Sequence, residues 1–175
     1  MIGNCKNSDL LSNCTLCGKE LFCKYCSSHK AVIRNCKSLQ ELDIGDCGFH
    51  RFDSLIVDTI PSLKKISIGS HCFKDIRQFY LCGQENLEYV EIGQSSFMIS
   101  SDKRRDDGLF SISCCPELRK LIINDWSFHD YSKMELEGLE ALEQVYLGNY
   151  CFRYADVSLQ SMLSHFQIVM GCFME

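Results

Sequence analysis

Four cysteines near the amino terminus have the residue type and the spacing of a metal site. They form two CxxC pairs, Cys14 with Cys17 and Cys23 with Cys26, and five residues separate the pairs. Four thiolates can close a tetrahedral shell around zinc, although a zinc ribbon usually has a dozen or more residues between its pairs. The spacing predicts a structural zinc ion at these cysteines as one interpretation, and no other cofactor is expected.

Nucleophilic catalysis finds less support in the residue pattern. Pairs of cysteine and histidine can always be composed from 13 cysteines and five histidines, so their presence carries little weight. The histidines are scattered, and we expect His50, His71 and His129 to be solvated at chain corners. The glycines form neither of the common phosphate-binding motifs. We therefore expect no catalytic residue and a protein that is not an enzyme.

An eleven-residue pattern recurs through most of the chain and must position any site that the chain carries. Residues 63–73 read LKKISIGSHCF, residues 39–49 and 87–97 repeat the pattern, and further copies open at Leu118, Leu142 and Leu163. The position of Ile68 recurs at Ile44, Ile92, Ile123, Leu147 and Ile168, with spacings of 24, 24, 31, 24 and 21 residues. A period of this length is typical of a solenoid. The sequence predicts a mainly β solenoid over residues 31–175, with about six coils, and a separate cysteine-rich segment over residues 1–30.

Each coil is predicted to contain two short parallel strands. Ile66 and Ile68 alternate with polar residues, as on one buried strand face. The second strand is predicted six and eight residues beyond a recurrent phenylalanine, at Leu55 and Val57, Phe79 and Leu81, and Met134 and Leu136. In the long coil the matching pair, Phe110 and Ile112, is displaced by seven residues. The insertion within residues 98–109 is interpreted as a solvated loop or, alternatively, as a contact loop.

The corner after the first strand has its own residue pattern. A glycine or asparagine follows the strand at Gly45, Gly69, Gly93, Asn124 and Gly148, which predicts a sharp turn with positive φ. Four residues later come Phe49, Phe73, Phe97, Phe128, Phe152 and Phe173, which we expect to stack as one interior column. Cys72, Cys151 and Cys172 directly precede three of these phenylalanines. We expect them to be reduced and buried, with disulfides as the alternative.

The repeat also bears on the amino-terminal cysteines, for which two alignments remain open. If Ile2 and Gly3 close an earlier repeat, the distance to Ile44 exceeds the period by 18 residues and the cysteines lie in an insertion, which favours metal. If Tyr25 instead occupies the phenylalanine column, the cysteines are packing or surface residues of an ordinary coil.

The charge and hydropathy of the chain narrow the classes of partner and the location. A net charge of −5 and a pI near 5.5 argue against general binding to nucleic acid or anionic membranes. No run of 18 apolar residues is present, so we expect no membrane insertion. A cytoplasmic location is expected, with the cell surface as the alternative if the chain belongs to a longer secreted protein.

The outward positions of the first strands alternate in charge from coil to coil. Acidic Glu41 and Asp43 are followed by basic Lys64 and Lys65, then by acidic Glu88 and Glu91, and the alternation continues. One interpretation is a sheet face whose charges pair laterally. The other is a face that binds a protein partner through residues that point outward, for which the candidates are Tyr89, Glu91, Lys120, Ile122 and Tyr146.

Residues 68–79, IGSHCFKDIRQF, resemble the BspA-like leucine-rich repeats, whose unit reads roughly I-G-x-x-A-F-x-x-C-x-x-L before an L-x-x-I-x-I strand. Cysteine often replaces the family's alanine here, and Phe52, Ile76, Tyr131 and Ala155 occupy its cysteine position. The resemblance covers about residues 31–173. It implies a curved leucine-rich-repeat solenoid used for adhesion and protein binding in bacteria and protists, and it carries over no catalytic residue. Pro61 and Pro116 precede the strand leucine, unlike the family's proline after the strand.

These observations predict a non-enzymatic leucine-rich-repeat scaffold for protein interaction. The alternatives are a self-associating piece of a longer repeat array, a surface adhesion protein and, less favoured, a zinc-binding amino-terminal module. Self-association is expected through uncapped coils, because the residues from Phe166 to Phe173 are almost all apolar.

Overall fold

The computed structural model describes residues 30–34, 36–47, 52, 54–99, 107–160 and 167–170. These residues form twelve strands, which are β1 (Lys30–Arg34), β2 (Glu41–Ile44), β3 (Ser54–Asp58), β4 (Lys65–Ile68), β5 (Gln78–Cys82), β6 (Tyr89–Ile92), β7 (Leu109–Ser113), β8 (Lys120–Ile123), β9 (Lys133–Glu137), β10 (Gln144–Leu147), β11 (Asp156–Gln160) and β12 (Gln167–Met170). The described residues include no helix with the length and hydropathy needed to cross a lipid bilayer.

The strands form two parallel sheets of six strands each. The odd-strand sheet has the order β1-β3-β5-β7-β9-β11, and the even-strand sheet has the order β2-β4-β6-β8-β10-β12. Each coil contributes one strand to each sheet and then advances to the next coil, about 24 residues further along the chain. This arrangement is a β-solenoid. The predicted mainly β solenoid with two short parallel strands per coil is confirmed.

The core lies between the two sheets because the apolar residues alternate along every strand. Ile66 and Ile68 of β4 are 0% and 2% exposed, whereas the side chain of Lys65, which precedes Ile66 in the same strand, is exposed to solvent. The inward pairs that were predicted for the second strands are buried to the same degree, at 2% exposure or less, and they include Phe110 and Ile112 of the long coil. The seven-residue displacement of that pair therefore leaves the strand register of the odd-strand sheet intact.

The phenylalanine column is confirmed at its four described positions. The ring centroids lie 4.9 Å apart between Phe73 and Phe97, 4.5 Å between Phe97 and Phe128, and 5.1 Å between Phe128 and Phe152, with nearly parallel planes. Each of these residues is at most 6% exposed. Phe49 and Phe173 lie outside the described residues. Stacked aromatic pairs add to the area that they bury, so the column stabilises the contact between successive coils.

The small residue that precedes each phenylalanine forms a hydrogen-bonded ladder. The hydroxyl of Ser96 donates to the carbonyl oxygen of Gly69 at 2.8 Å and accepts from the amide nitrogen of Cys72 at 3.1 Å. The thiols of Cys72 and Cys151 donate in the same way to carbonyl oxygens of the preceding coil. Both cysteines are buried, as predicted. The position therefore selects a side chain that is small and also donates a hydrogen bond, because a buried unpaired carbonyl is costly.

The prediction of positive φ at the corner glycines is wrong. None of Gly45, Gly69, Gly93 and Gly148 has a positive φ, whereas the residues two and four positions later do, among them His71 and Phe73. The glycines are required for another reason, which is the close approach of successive coils. A Cβ atom on Gly93 would lie 2.5 Å from the carbonyl carbon of Gly69, closer than real Cβ contacts.

The predicted alignment of the last copy is also wrong. Leu147 pairs with Met170, and Ile168 pairs with Val145, so the copy is shifted by two residues from the alignment that places Ile168 beside Leu147. In the sequence, Gly171 follows Met170 as Gly69 follows Ile68. The position of that glycine indicates the correct register. The apolar run around Ile168 makes the register ambiguous, because more than one alignment of the run places apolar residues at the inward positions.

Candidate protein-binding face

The even-strand sheet presents an outward surface, here called the even-strand face, that consists of two rows of side chains. One row contains Glu41, Lys65, Tyr89, Lys120, Gln144 and Gln167, and the other contains Asp43, Ser67, Glu91, Ile122, Tyr146 and Val169. The rows follow from the parallel register, in which residues 23, 24 or 31 positions apart lie side by side. Alternation within each strand turns these positions away from the core.

All five residues predicted to contact a partner lie on this face, on β6, β8 and β10. Tyr89 pairs with Lys120, and Glu91 pairs with Ile122. Ile122 in turn pairs with Tyr146, which is 36% exposed. The structure thus brings the five residues into one contiguous patch across three neighbouring strands.

Tyr89 is held in place by its neighbours on the face. Its hydroxyl donates a hydrogen bond to Oε2 of Glu91 at 2.9 Å, and the Lys65 ammonium lies 5.5 Å from the centre of its ring. Partial burial, the hydrogen bond to Glu91 and the charge of that carboxylate together raise the pKa of Tyr89 to about 12. The phenol therefore stays protonated near neutral pH and remains a hydrogen-bond donor.

A groove of about 640 Å³ runs along the carboxyl ends of the even strands. Its walls come from the second row of the even-strand face, including Asp43, Glu91 and Tyr146, and from the corner that follows each strand, including Asp46 and Asp125. Two of the five predicted contact residues, Glu91 and Tyr146, therefore line the groove. Tyr89, Lys120 and Ile122 lie beside it on the same face and do not line it.

The corner wall of the groove is fixed by a repeated carboxylate contact. Oδ1 of Asp46 accepts a hydrogen bond from the amide nitrogen of Ser70 at 2.7 Å, and Oδ1 of Asp125 accepts one from Asn149 at 2.8 Å. Each aspartate thus joins its own coil to the next. The described residues that line the groove include four carboxylates and neither lysine nor arginine, so the groove has an acidic character.

Lateral charge pairing occurs at the edge of the same surface. Nη1 of Arg119 lies 2.8 Å from Oε1 of Glu143 in the next coil. Both side chains are more than half exposed, at 54% and 65%, and such a pair contributes only about 0 to 1 kcal/mol to stability. The pair supports the interpretation of lateral neutralisation at this position, but its small energy leaves the face available for contact.

An aromatic cluster that was not predicted from the sequence lies at the corner that follows the fourth and fifth even strands. The rings of Trp126 and Tyr150 stack with centroids 4.2 Å apart, and His129 lies 5.4 Å from the Trp126 ring. The side chain of His129 is only 14% exposed, and its Nδ1 atom is 3.1 Å from Oδ1 of Asp130. The expectation of a solvated histidine is therefore wrong at His129, because aromatic side chains cover it. Tyr150 follows Trp126 by one period, and this was the signal available in the sequence.

Metal binding is not supported within the described part of the chain. No group of three or more His, Cys, Asp or Glu side chains in that part is arranged to hold a metal ion. The predicted zinc ligands Cys14, Cys17, Cys23 and Cys26 lie outside the described residues, so their role stays a prediction.

Comparison with known proteins gives no relative from which a function can be taken. No protein-family model, curated protein or solved structure matches this chain. The fold and the surface chemistry of the solenoid are therefore the basis for any functional proposal.

Proposed function

We propose that this solenoid is a non-enzymatic scaffold of the BspA-like leucine-rich-repeat type, and that it binds a protein partner through the even-strand face. The observation that carries the proposal is the groove of about 640 Å³ that contains Glu91 and Tyr146. A groove along successive coils suits an extended polypeptide segment, since both repeat along one direction. The proposed location is the cytoplasm, with the cell surface as the alternative.

The chemistry of the groove favours a partner segment with positive charge. Its carboxylates include Asp43, Asp46 and Asp125, and a concave surface of one sign concentrates ligands of the opposite sign. Tyr146 adds an exposed aromatic ring next to Ile122, and aromatic residues are enriched among those that dominate binding energy. We therefore propose an extended segment rich in lysine or arginine, with an apolar residue that contacts Tyr146. The net charge of −5 speaks against nucleic acid as the partner.

A peptide-display selection against the purified protein tests this proposal. We expect enriched peptides to be basic, to bind less tightly as salt concentration rises, and to lose about 30-fold in affinity with Tyr146→Ala, the usual size of a hot-spot effect. Tyr80→Ala is the matched control, since Tyr80 occupies a half-buried position in β5 of the other sheet. Equal loss in both variants, or enriched peptides without basic residues, would contradict the proposal.

Self-association is a second candidate function, favoured by the exposed apolar residues of the last coil. Val157 and Leu159 pair with the buried Met134 and Leu136 of the preceding coil, yet they are 55% and 39% exposed. Ile168 pairs with the buried Val145 and is 36% exposed. Inward positions of one coil are thus open to solvent, where a second copy could continue the stack.

Size-exclusion chromatography with light scattering tests the second candidate. We expect the apparent mass to rise with concentration for the unmodified chain and to stay near one copy for the double variant Val157→Asp and Leu159→Asp. Tyr154→Asp, at a residue that is 53% exposed, is the control. A concentration-independent monomer would argue against self-association and would leave the even-strand face proposal unaffected.

A further inference from the structure

Two exposed cysteines lie at neighbouring strand ends of the odd-strand sheet, which is the sheet opposite the even-strand face. Cys82 is the last residue of β5 and pairs with Ser113, the last residue of β7. Cys114 follows directly. The amide nitrogen of Gly83 donates to the carbonyl oxygen of Ser113 at 3.2 Å, which holds the two chain segments together at this corner. Both cysteines are free and exposed.

The corner geometry allows the two thiols to approach each other. Cys82 is among the groups that raise the pKa of the Cys114 thiol, as expected for two thiols at adjacent strand ends. Positions offset by one residue on neighbouring strands are separated by about 6 Å between Cα atoms, from the strand spacing and rise. That distance lies inside the range that a disulfide spans. Gly83, which follows Cys82, carries no side chain that would lie between them.

Cys114 lies at a corner position whose φ is positive in four successive coils. Its φ is 52°, and the equivalent corner positions Gly83 and Gly138 have φ values of 65° and 62°. Glycine is the residue that adopts this region without strain. The aligned residue Thr59 has a φ of 46°, so the conformation belongs to the repeated corner, and the chain places a thiol where two other aligned coils have glycine.

We propose that Cys82 and Cys114 are an oxidation-sensitive modification site. The two thiols form a disulfide with each other when they are oxidised by a low-molecular-weight disulfide such as oxidised glutathione. One thiolate attacks a sulfur of the glutathione disulfide, forms a mixed disulfide and releases one glutathione thiolate. The second cysteine, as thiolate, then attacks the protein sulfur of the mixed disulfide and releases the second glutathione thiolate. Two protein thiols are oxidised, one external disulfide is reduced to two thiols, and the two protein protons pass to solvent or to the released thiolates.

The surroundings determine which thiols react and how the reaction depends on pH. Partial desolvation, Cys82 and the carboxylates of Glu137 and Glu140 raise the pKa of Cys114, so this thiol is mostly protonated at neutral pH. We therefore expect cross-linking to accelerate as pH rises above neutral, because the thiolate is the nucleophile. The neighbouring Cys115 is buried, and burial raises its pKa to about 12. We therefore do not expect Cys115 to compete with Cys82 or Cys114 for the oxidant.

The test is incubation of the whole chain with oxidised glutathione, followed by non-reducing peptide mapping by mass spectrometry. We expect a Cys82 to Cys114 cross-linked peptide, no accumulated glutathione adduct on either residue, and an increase of several degrees in the melting temperature that dithiothreitol reverses. Cys82→Ser and Cys114→Ser should each retain one stable glutathione adduct on the remaining cysteine. Cys47→Ser, at another exposed free cysteine, should form the cross-link at the rate of the unmodified chain.

Two results would overturn the proposal. One is stable glutathione on both Cys82 and Cys114 of the unmodified chain, which would show that the thiols cannot meet. The other is a disulfide that uses Cys115 in place of either residue. Because the site lies on the other sheet and does not involve the groove, neither result would bear on partner binding at the even-strand face.

Discussion

The position before each core phenylalanine shows how one residue can serve packing and hydrogen bonding together. Cys72, Ser96, Ser127 and Cys151 occupy this position, and each donates its side-chain hydrogen to a carbonyl oxygen of the preceding coil. Serine and cysteine are close in size and both donate, which accounts for their exchange along the column. They differ in titration, because only the thiol can lose its proton in the alkaline range.

That difference predicts how stability depends on pH at one residue. Burial raises the pKa of Cys151 to about 12 from 9.0, so the folded state binds the thiol proton more tightly than the unfolded state. The associated stability is fully present below about pH 9 and is lost as pH rises from about 9 to about 12, by up to about 4 kcal/mol. We expect Cys151→Ser to reduce the loss of unfolding free energy between pH 8 and pH 10.5.

Urea denaturation at both pH values, with a reductant present, measures this effect. Comparing each variant with itself at the two pH values removes any constant cost of the substitution. Cys47→Ser is the control, since Cys47 is exposed. An unchanged alkaline loss in Cys151→Ser would mean that other buried groups, such as Tyr131 with its strongly raised pKa, account for it alone.

At the scale of the coil, the corner glycines set how closely successive coils approach. A Cβ atom on Gly148 would lie 2.5 Å from the amide nitrogen of Asp125, and one on Gly69 would lie 2.6 Å from the amide nitrogen of Asp46. These neighbours are backbone atoms, which cannot move aside as a flexible side chain can. The hydrogen bonds from each glycine nitrogen to the preceding strand, at 2.7 Å for Gly69 and Gly93, hold the same contact.

A pair of glycine variants separates close approach from backbone freedom. We expect Gly93→Ala to lower the free energy of unfolding by about 1 to 3 kcal/mol, the usual cost of overpacking. Gly45→Ala is the matched control, because nothing lies within 4 Å of its added Cβ and its φ is outside the left-handed region. It should be neutral or stabilising by up to about 1 kcal/mol. Chemical denaturation of both variants checks this, and equal destabilisation would contradict the explanation by close approach.

The glycines also show which parts of the fold could be predicted from sequence. The alternation of Ile66 and Ile68 and the recurrence of Phe73 and Phe97 are local signals repeated at a fixed period, so the strands and the core column followed from them. Glycine is required at position 93 because the backbone there closely approaches Gly69, 24 residues away. No local sequence pattern encodes that contact. The period alone aligned the last copy wrongly, because several neighbouring residues there are apolar.

The candidate site was predictable only in part, for a related reason. Outward positions of a parallel sheet follow directly from strand register, so Tyr89, Glu91, Lys120, Ile122 and Tyr146 were correctly placed on one face. The groove needs the corner as well as the strands, and Asp46 and Asp125 enter it through hydrogen bonds to the next coil. The thiol pair of Cys82 and Cys114 was missed because its members belong to different coils and do not share one repeat position.

At the scale of the whole molecule, the two sheets divide the surface chemistry. The even-strand sheet bears the acidic groove and Tyr146, whereas the odd-strand sheet bears the thiol pair at the end of β5 and β7. The coils that form the two sheets share one hydrophobic core. A solenoid transmits stability chiefly between neighbouring coils, so changes at the amino-terminal segment should affect the nearest coils most.

This gives the predicted zinc site a measurable consequence at the scale of the whole chain. If Cys14, Cys17, Cys23 and Cys26 bind zinc, the purified protein should contain about one equivalent, because four thiolates complete one tetrahedral shell. Chelation should release that equivalent and lower the melting temperature, since structural zinc contributes folding energy. Hydrogen exchange should then increase most around β1 and β2, the described strands nearest to these cysteines in sequence.

A Cys14→Ser and Cys17→Ser double variant should lose the metal, whereas Cys47→Ser should retain it. Metal-free protein whose melting curve is unchanged by chelator would instead support the alignment in which Tyr25 belongs to the phenylalanine column and the four cysteines are ordinary residues of a coil.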